Sequence, residues 1–374
     1  MKIGIMTWLH NGNYGTVLQA YALQHYLRSE GYDVQNIDFS PTVVEKVKNL
    51  IKSKNSFTLF SEKFEAMLTK RKADQEKLRI KEDKFNEFLS SQFMLTKPYY
   101  KADDLSELSG KYDAYICGSD QIWSPMLLNP AYYFNYLSES DTKIAYACSF
   151  AVNQIPDNKK DKIKGYLKDF SKISVRENQG KEIVKNLVGL DVPVLVDPTL
   201  LLEKSEWDKI ASDNIVNKKY VFAYFLTYNE EYFKKAEEIA KEMNCTLVVV
   251  PTCKESYDIN AEVMQDAGPA DWISLIANAE AVVTDSFHGC VFSLIYSKQF
   301  FVFKRFADSN SKSQNSRVYT LLQEYNLNKC LIDANTAINK AFIEQEEFLK
   351  INEKIELNSN KAKKWLFDSI EDIG

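Results

Sequence analysis

The segment Asp285-Ser286-Phe287-His288-Gly289 joins one apolar run, Ala281-Val282-Val283-Thr284, to another that begins at once. That order places a histidine in the first turn of a helix, just past the end of a buried strand. The positive end of a helix disfavours a second positive charge and so favours a neutral ring, the form that takes up a proton from a substrate. The unpaired amides of the same turn are ready to hold an anion. The plainer alternative is a buried histidine that only hydrogen-bonds Asp285. His10 and His25 have no comparable setting and read as ordinary polar residues.

Three more strand ends carry chemistry. After the strand Lys2 to Trp8 comes His10-Asn11-Gly12-Asn13-Tyr14-Gly15-Thr16. Glycine lets such a loop turn tightly and approach a ligand, but Gly-x-x-Gly is not the three-glycine dinucleotide pattern, even with Asp38 ending the next strand. A tight turn and a loop for some other ligand both remain open. Tyr112 to Cys117 runs into Gly118-Ser119-Asp120-Gln121, either a helix cap or a binding loop. Arg176 follows the buried run Ile173-Ser174-Val175. A guanidinium there needs a partner. A salt bridge to Glu177 or Asp197 satisfies it, and so does a ligand's carboxylate or phosphate.

These ends are positioned by alternating strand and helix signals. The first series continues with a helix from Tyr14 to Ser29, stopped by Gly31, and a short strand ending near Asp38. It resumes with a strand from Lys143 to Phe150, a helix from Asp157 to Phe170, and a strand from Val192 to Val196 ended by Asp197-Pro198. The second series has strands at Tyr220 to Leu226, Thr246 to Val250, Ala281 to Thr284 and Phe300 to Phe303. Its helices are Glu230 to Met243, Asp271 to Ala279 capped by Asp271, His288 to Tyr296 and Arg317 to Tyr325, and the chain reads as helical from about Ala337. This is an α/β chain with two units, residues 1–210 and 211–374, each a parallel sheet covered on both faces, with a cleft between them. Ligands of such sheets bind beyond the carboxyl ends of the strands.

Residues 42 to about 110 interrupt the first series as a helical insertion. Pro41 to Ser90 holds 12 Lys/Arg against 8 Asp/Glu. A solvated helical pair and a basic amphipathic surface for anionic lipid both fit it. The 374 residues and 45% hydrophobic content suit two cores, and the net charge of -5, with no basic tail, offers nothing to nucleic acid. No run of eighteen apolar residues occurs, and the first apolar run is too short for a signal peptide, so a cytoplasmic protein is expected. The six cysteines include no Cys-x-x-Cys pair and the three histidines lie far apart, so neither metal nor disulfide is expected.

At these residues the sequence resembles the polysaccharide pyruvyl transferase family. The matching pieces are Lys2-Ile3-Gly4-Ile5, Asn11 to Ala20, Gly118-Ser119-Asp120-Gln121-Ile122-Trp123, Ser174-Val175-Arg176-Glu177, Val196-Asp197-Pro198-Thr199, Thr284 to Gly289 and Asn315-Ser316-Arg317. The resemblance implies two Rossmann-like domains in a GT-B-like arrangement, phosphoenolpyruvate as donor and no cofactor. The acceptor would be a glycan or lipid-linked oligosaccharide at the inner face of the membrane, with peripheral contact there. Carried over, His288 is the catalytic histidine and Arg176 binds the donor's anionic groups. Ser286 stands where many relatives carry arginine; the amides that follow it would help to bind the donor, and Lys304, Arg305 or Arg317 would supply the missing cation. Asn11, Asn13, Tyr14, Ser119 and Asp120 would face the acceptor. Two other functions fit the same architecture, a nucleotide-sugar glycosyltransferase and a non-catalytic glycan-binding protein.

Overall fold

Short runs of β-branched and aromatic residues, each followed by a helix, force the strands to lie parallel. The computed structural model describes residues 1–41, 74–307 and 313–372. In chain order the first domain contributes β1 (Lys2–Met6), α1 (Tyr14–Ser29), β2 (Asp33–Asn36), α2 (Gln75–Gln92), β3 (Ala114–Cys117), β4 (Lys143–Cys148), α3 (Asp157–Leu167), β5 (Lys172–Val175), α4 (Asn178–Val188) and the short α5 (Lys204–Asp208). The second contributes β6 (Tyr220–Tyr224), α6 (Glu230–Glu242), β7 (Thr246–Val249), β8 (Glu262–Val263), α7 (Pro269–Ala277), β9 (Ala281–Thr284), α8 (Phe287–Ile295), β10 (Gln299–Val302), α9 (Ser316–Glu324) and α10 (Gln345–Glu371).

The first sheet has the order β2-β1-β3-β4-β5 and the second β10-β9-β6-β7-β8, every pair parallel. In each, the chain reverses its direction of travel across the sheet beside the first strand. The crevices lie between the ends of β1 and β3 and between the ends of β6 and β9. The turn Asp285 to His288 follows β9 at the second crevice, and Arg176 stands at the carboxyl end of β5, the edge strand of the first sheet.

Several boundaries differ from the sequence expectation. Val192 to Val196 is not a strand: Pro193 has no amide to give, and only Val194 bridges to Val175, with Val175 donating to the Pro193 carbonyl. Asp271 is not the cap of α7. Gly268 is, and Asp271 stands three residues on, where its carboxylate accepts from the Gly268 amide at 2.9 Å. The helical tail begins at Gln345 rather than near Ala337, and the two-residue β8 had no readable signal. Of the insertion, α2 is helical, while Leu95 and Tyr99 are extended and bridge to Asn36 and Phe39. Residues 42–73, where most of the expected basic helices fall, lie outside the described residues.

The domains are joined by a core of aromatic rings. Tyr14, at the start of α1, stacks on Trp272 of α7 at 5.7 Å, touches Phe85 of α2 and Tyr224 of β6, and donates its hydroxyl to the Ala267 carbonyl at 2.7 Å. Trp207 of α5 packs edge-on against Phe292 of α8 at 4.7 Å. α2 spans the junction: the amide of its N-cap, Asp74, donates to Gln265 Oε1 at 2.9 Å, and Lys84 pairs with Asp271 at 2.8 Å. α10 returns to the first domain, where Trp365 meets Tyr146 and Asp372 pairs with Lys172. Tyr14→Ala is expected to lower unfolding stability by about 3–5 kcal/mol and Tyr14→Phe by about 1 kcal/mol. Urea titration read by tryptophan fluorescence checks both; equal effects would place the contribution in the hydroxyl rather than the ring.

Candidate active site

The loop after β1 splits its residues between two jobs. Asn11, exposed, accepts from the Asn13 amide at 3.1 Å, and Asn13 caps α1 by accepting from the Thr16 amide at 3.2 Å. Tyr14 differs from its expected acceptor-facing role: it is 1% exposed and belongs to the aromatic junction. Gly15 lies against the second domain. A Cβ placed there would fall 2.1 Å from His288 Nδ1, so only glycine lets helix α1 and this ring meet.

After β3 the backbone is pressed onto β4, where a Cβ on Gly118 would lie 2.0 Å from the Tyr146 carbonyl oxygen. Ser119 is also spent on the fold, donating its hydroxyl to the Ala147 carbonyl at 2.5 Å and its amide to Gln19 Oε1 at 2.8 Å. Asp120 has the left-handed φ of 64°, which Asp tolerates better than most residues. That turn directs its carboxylate inward, where Oδ2 accepts from the Thr16 hydroxyl at 2.6 Å and Oδ1 from Arg176 at 3.3 Å. Neither Ser119 nor Asp120 presents a free polar edge, contrary to their expected part in acceptor binding.

Arg176 finds its partner in Asp197, not in Glu177. Its NH1 lies 2.5 Å from Asp197 Oδ2, its NH2 reaches Asp120, and its face covers the Phe287 ring at 4.4 Å. Thr199 closes the other side of Asp197, donating amide and hydroxyl to Oδ1 at 3.1 and 2.8 Å. Burial pushes the Asp197 carboxyl up, but His288, Arg176 and the Thr199 amide together outweigh it and hold the group well below the carboxylate range. Asp120 is likewise held low: burial opposes, and Arg176, His288 and Thr16 prevail. Glu177 lies off this network, with Oε1 taken by Ser149 and the Phe150 amide, and burial raises its carboxyl.

The turn after β9 brings the second domain into this network. Asp285 does not bond His288: its carboxylate accepts from the Leu226 and Thr227 amides at 2.6 and 3.2 Å, clamping the end of β6, and burial raises it. Ser286 caps α8, its hydroxyl oxygen accepting from the Gly289 amide at 3.3 Å. His288, 6% exposed, turns Nε2 toward Asp197 Oδ2 at 3.4 Å, within ion-pair reach but without hydrogen-bond alignment. Asp197 is therefore the central residue that the sequence reading left off its site. The available signal was a carboxylate directly before Pro198 at the end of an apolar run. Thr16, Gln121 and Phe287 were also missed as neighbours of the site.

Arg317, on the first turn of α9, is 7% exposed and lies 5.9 Å from the Phe287 ring centre. With Arg176, Asn178, Asp197, Phe287, Thr320 and others it borders a cavity of about 170 Å³ between the domains. Lys304 is not brought to that cavity. It is exposed, with Nζ 5.9 Å over the Tyr319 ring, and borders instead a smaller space beside Arg305, Gln314 and Arg317. Among the described residues, no group of three or more His, Cys, Asp and Glu converges as metal ligands would.

Two Rossmann-like domains meeting through their strand ends make a GT-B fold. The chain aligns over 100% of its length and 98% of the other with UDP-N-acetylglucosamine 2-epimerase from Rickettsia bellii, at a TM-score of 0.52 and 10% identity. It aligns over 99% of both chains with an alpha-glucosyltransferase solved in complex with UDP and DNA, at 0.50 and 11%. Likeness at this identity is one of fold alone. Comparison with curated proteins yields no match. Residues 13–305 match the polysaccharide pyruvyl transferase family, and the chain belongs to that family. Gly15→Ala is expected to push His288 off Asp197 and part the junction. Hydrogen exchange should quicken in the first turns of α1 and α8 and remain as in wild type at β7; unchanged exchange in both turns would show that the contact does not hold the domains together.

Proposed function

We propose that this protein moves the pyruvyl group of phosphoenolpyruvate onto two hydroxyls of a sugar in a polysaccharide precursor, forming a pyruvate ketal. What carries the reading, within a chain of this family, is the junction itself. His288 of the second domain faces Asp197 of the first, beside a cavity bordered by two guanidiniums. A donor with a carboxylate and a phosphate asks for cations in a closed site and for one group that moves protons.

In this mechanism a proton adds to the methylene carbon of the donor and makes the central carbon electrophilic. One sugar hydroxyl bonds to that carbon, the carbon–oxygen bond to phosphate breaks, and a second hydroxyl closes the ketal. Of the two hydroxyl protons, one balances the new methyl group and the other leaves on phosphate. His288 delivers and collects these protons, and Asp197 beside Nε2 is its counter-charge while the ring is doubly protonated. Arg176 and Arg317 hold the donor's anionic groups, and Ser286 holds the turn that presents His288 by capping α8. Asn11 and Asn13, on the accessible loop after β1, remain the first-domain residues open to the acceptor. Among the described residues no helix is long and apolar enough to cross a membrane. A lipid-linked acceptor would bring the protein to the inner membrane face, and sedimentation with anionic liposomes tests that contact.

His288→Ala is expected to fold and to lose roughly 10²–10⁴-fold in turnover, the usual contribution of a positioned acid/base group. Phosphate release together with the mass of the glycan product measures it; near-normal turnover would remove His288 from the chemistry. Release of a nucleoside diphosphate from nucleotide sugars, with none of phosphate from phosphoenolpyruvate, would favour the glycosyltransferase instead. Arg176→Lys cannot reach Asp197 and Asp120 at once with a single ammonium. Its KM for phosphoenolpyruvate is expected to rise at least tenfold, and an unchanged KM would restrict Arg176 to holding the two carboxylates.

A further inference from the structure

Arg317 is a buried guanidinium whose hydrogen-bond partners among the described residues carry no charge. Among the described residues, no carboxylate lies within ion-pair distance of Arg317. Burial and the charge of Arg176 bring its pKa down to about 10, while Asp120 and Glu177 oppose from farther off. What fills its fork is neutral. Gln121, from the first domain, ends its carboxamide 2.7 Å from both NH1 and NH2, and because a guanidinium only donates, the atom that faces it is assigned as the amide oxygen. Gln314 accepts from NH2 at 3.1 Å through Oε1 and from Nε through its backbone carbonyl at 3.4 Å. Arg305, just past β10, points at the same place: its NH1 lies 3.5 Å from Gln314 Oε1, and its Nε is anchored on the Thr227 hydroxyl at 3.0 Å. Asp285 borders this spot but gives its carboxylate to the Leu226 and Thr227 amides.

Two guanidiniums thus converge on amide oxygens, which carry only partial charge. Hydrogen bonds from guanidinium to carboxylate or phosphate oxygens are about twice as strong as those between neutral groups. We propose that Arg305 and Arg317 form an anion subsite for one charged group of the donor, and that the carboxamides of Gln121 and Gln314 are stand-ins which the anion displaces. The space beside Arg305, Gln314 and Arg317 is about 10 Å³, room for a water-sized body, so the anion enters as the glutamines swing away. Arg317 also borders the cavity of about 170 Å³, which supplies the room. Because Gln121 belongs to the first domain and Arg317 to the second, binding exchanges a contact between domains for a contact with ligand. The inference rests on the phosphoenolpyruvate reading for the identity of the anion, but not for the existence of the subsite.

The test is calorimetric titration of the full chain with phosphoenolpyruvate, and separately with inorganic phosphate and with pyruvate, which tell apart the donor's phosphate and carboxylate ends. Arg317→Gln is expected to weaken phosphoenolpyruvate at least tenfold, Arg305→Gln several-fold, and Gln121→Ala not at all. Gln121→Glu places a carboxylate in the fork. It is expected to raise the melting temperature and to weaken phosphoenolpyruvate at least tenfold, so it serves even if Arg317→Gln fails to fold. The subsite is overturned if wild type binds none of the three anions, if Gln121→Glu binds phosphoenolpyruvate as wild type does, or if Gln121→Ala loses as much affinity as Arg317→Gln. Binding that depends on Arg317, without ketal formed on any acceptor, would keep the subsite and sink the proposed reaction. Ketal formation untouched by Arg317→Gln and by Gln121→Glu would do the reverse.

Discussion

Four charged or ionisable side chains, Asp120, Arg176, Asp197 and His288, are closed off from water at the meeting of two sheets. None of them is tolerable there alone, since removing one partner of a buried pair commonly costs about 3–5 kcal/mol. Three come from the first domain and one from the second, so the domains' relative placement and the charge balance are one problem. The local devices serve that balance. Gly15 clears space for the His288 ring, the left-handed turn at Asp120 aims its carboxylate inward, and Thr199 secures the far oxygen of Asp197. The aromatic stack around Tyr14 and Trp272 packs the two domains together on one side of this group.

Much of the architecture was legible because parallel strands are buried on both faces and read as short continuous apolar runs. β9 came out residue for residue, and α8 and α9 were placed to within one residue at each end. The strand expected at Val192 to Val196 failed because Pro193 breaks the hydrogen-bond ladder in an otherwise suitable run. β8 is two residues long and leaves no pattern.

The site was legible in part, for a different reason. A sequence shows that Arg176 needs a counter-charge and names Asp197 as one choice, but direction in space is not written in composition. Tyr14 begins a helix after a glycine-bearing loop, as a ligand-facing residue would, yet its ring points into the junction. Ser119 and Asp120 are polar in a loop, yet the loop folds against β4 and α1 and uses up their oxygens. The partner of His288 was sought next door at Asp285. It lies across the junction, because Asp285 is drawn to the bare amides at the end of β6.

The return of α10 to the first domain has a mechanical consequence. The polypeptide crosses between the domains on its way to β6 and again as α10 docks beside Trp365 and Lys172. Two bodies tied by one strand of chain can swivel in any direction, whereas two bodies tied at two points keep a single easy axis, the line through both ties. A swing about that line would strain the further tie that α2 makes to Gln265 and Asp271. Asn358 and Lys361 of α10 border the cavity between the domains, so this tie runs along the wall of the candidate site.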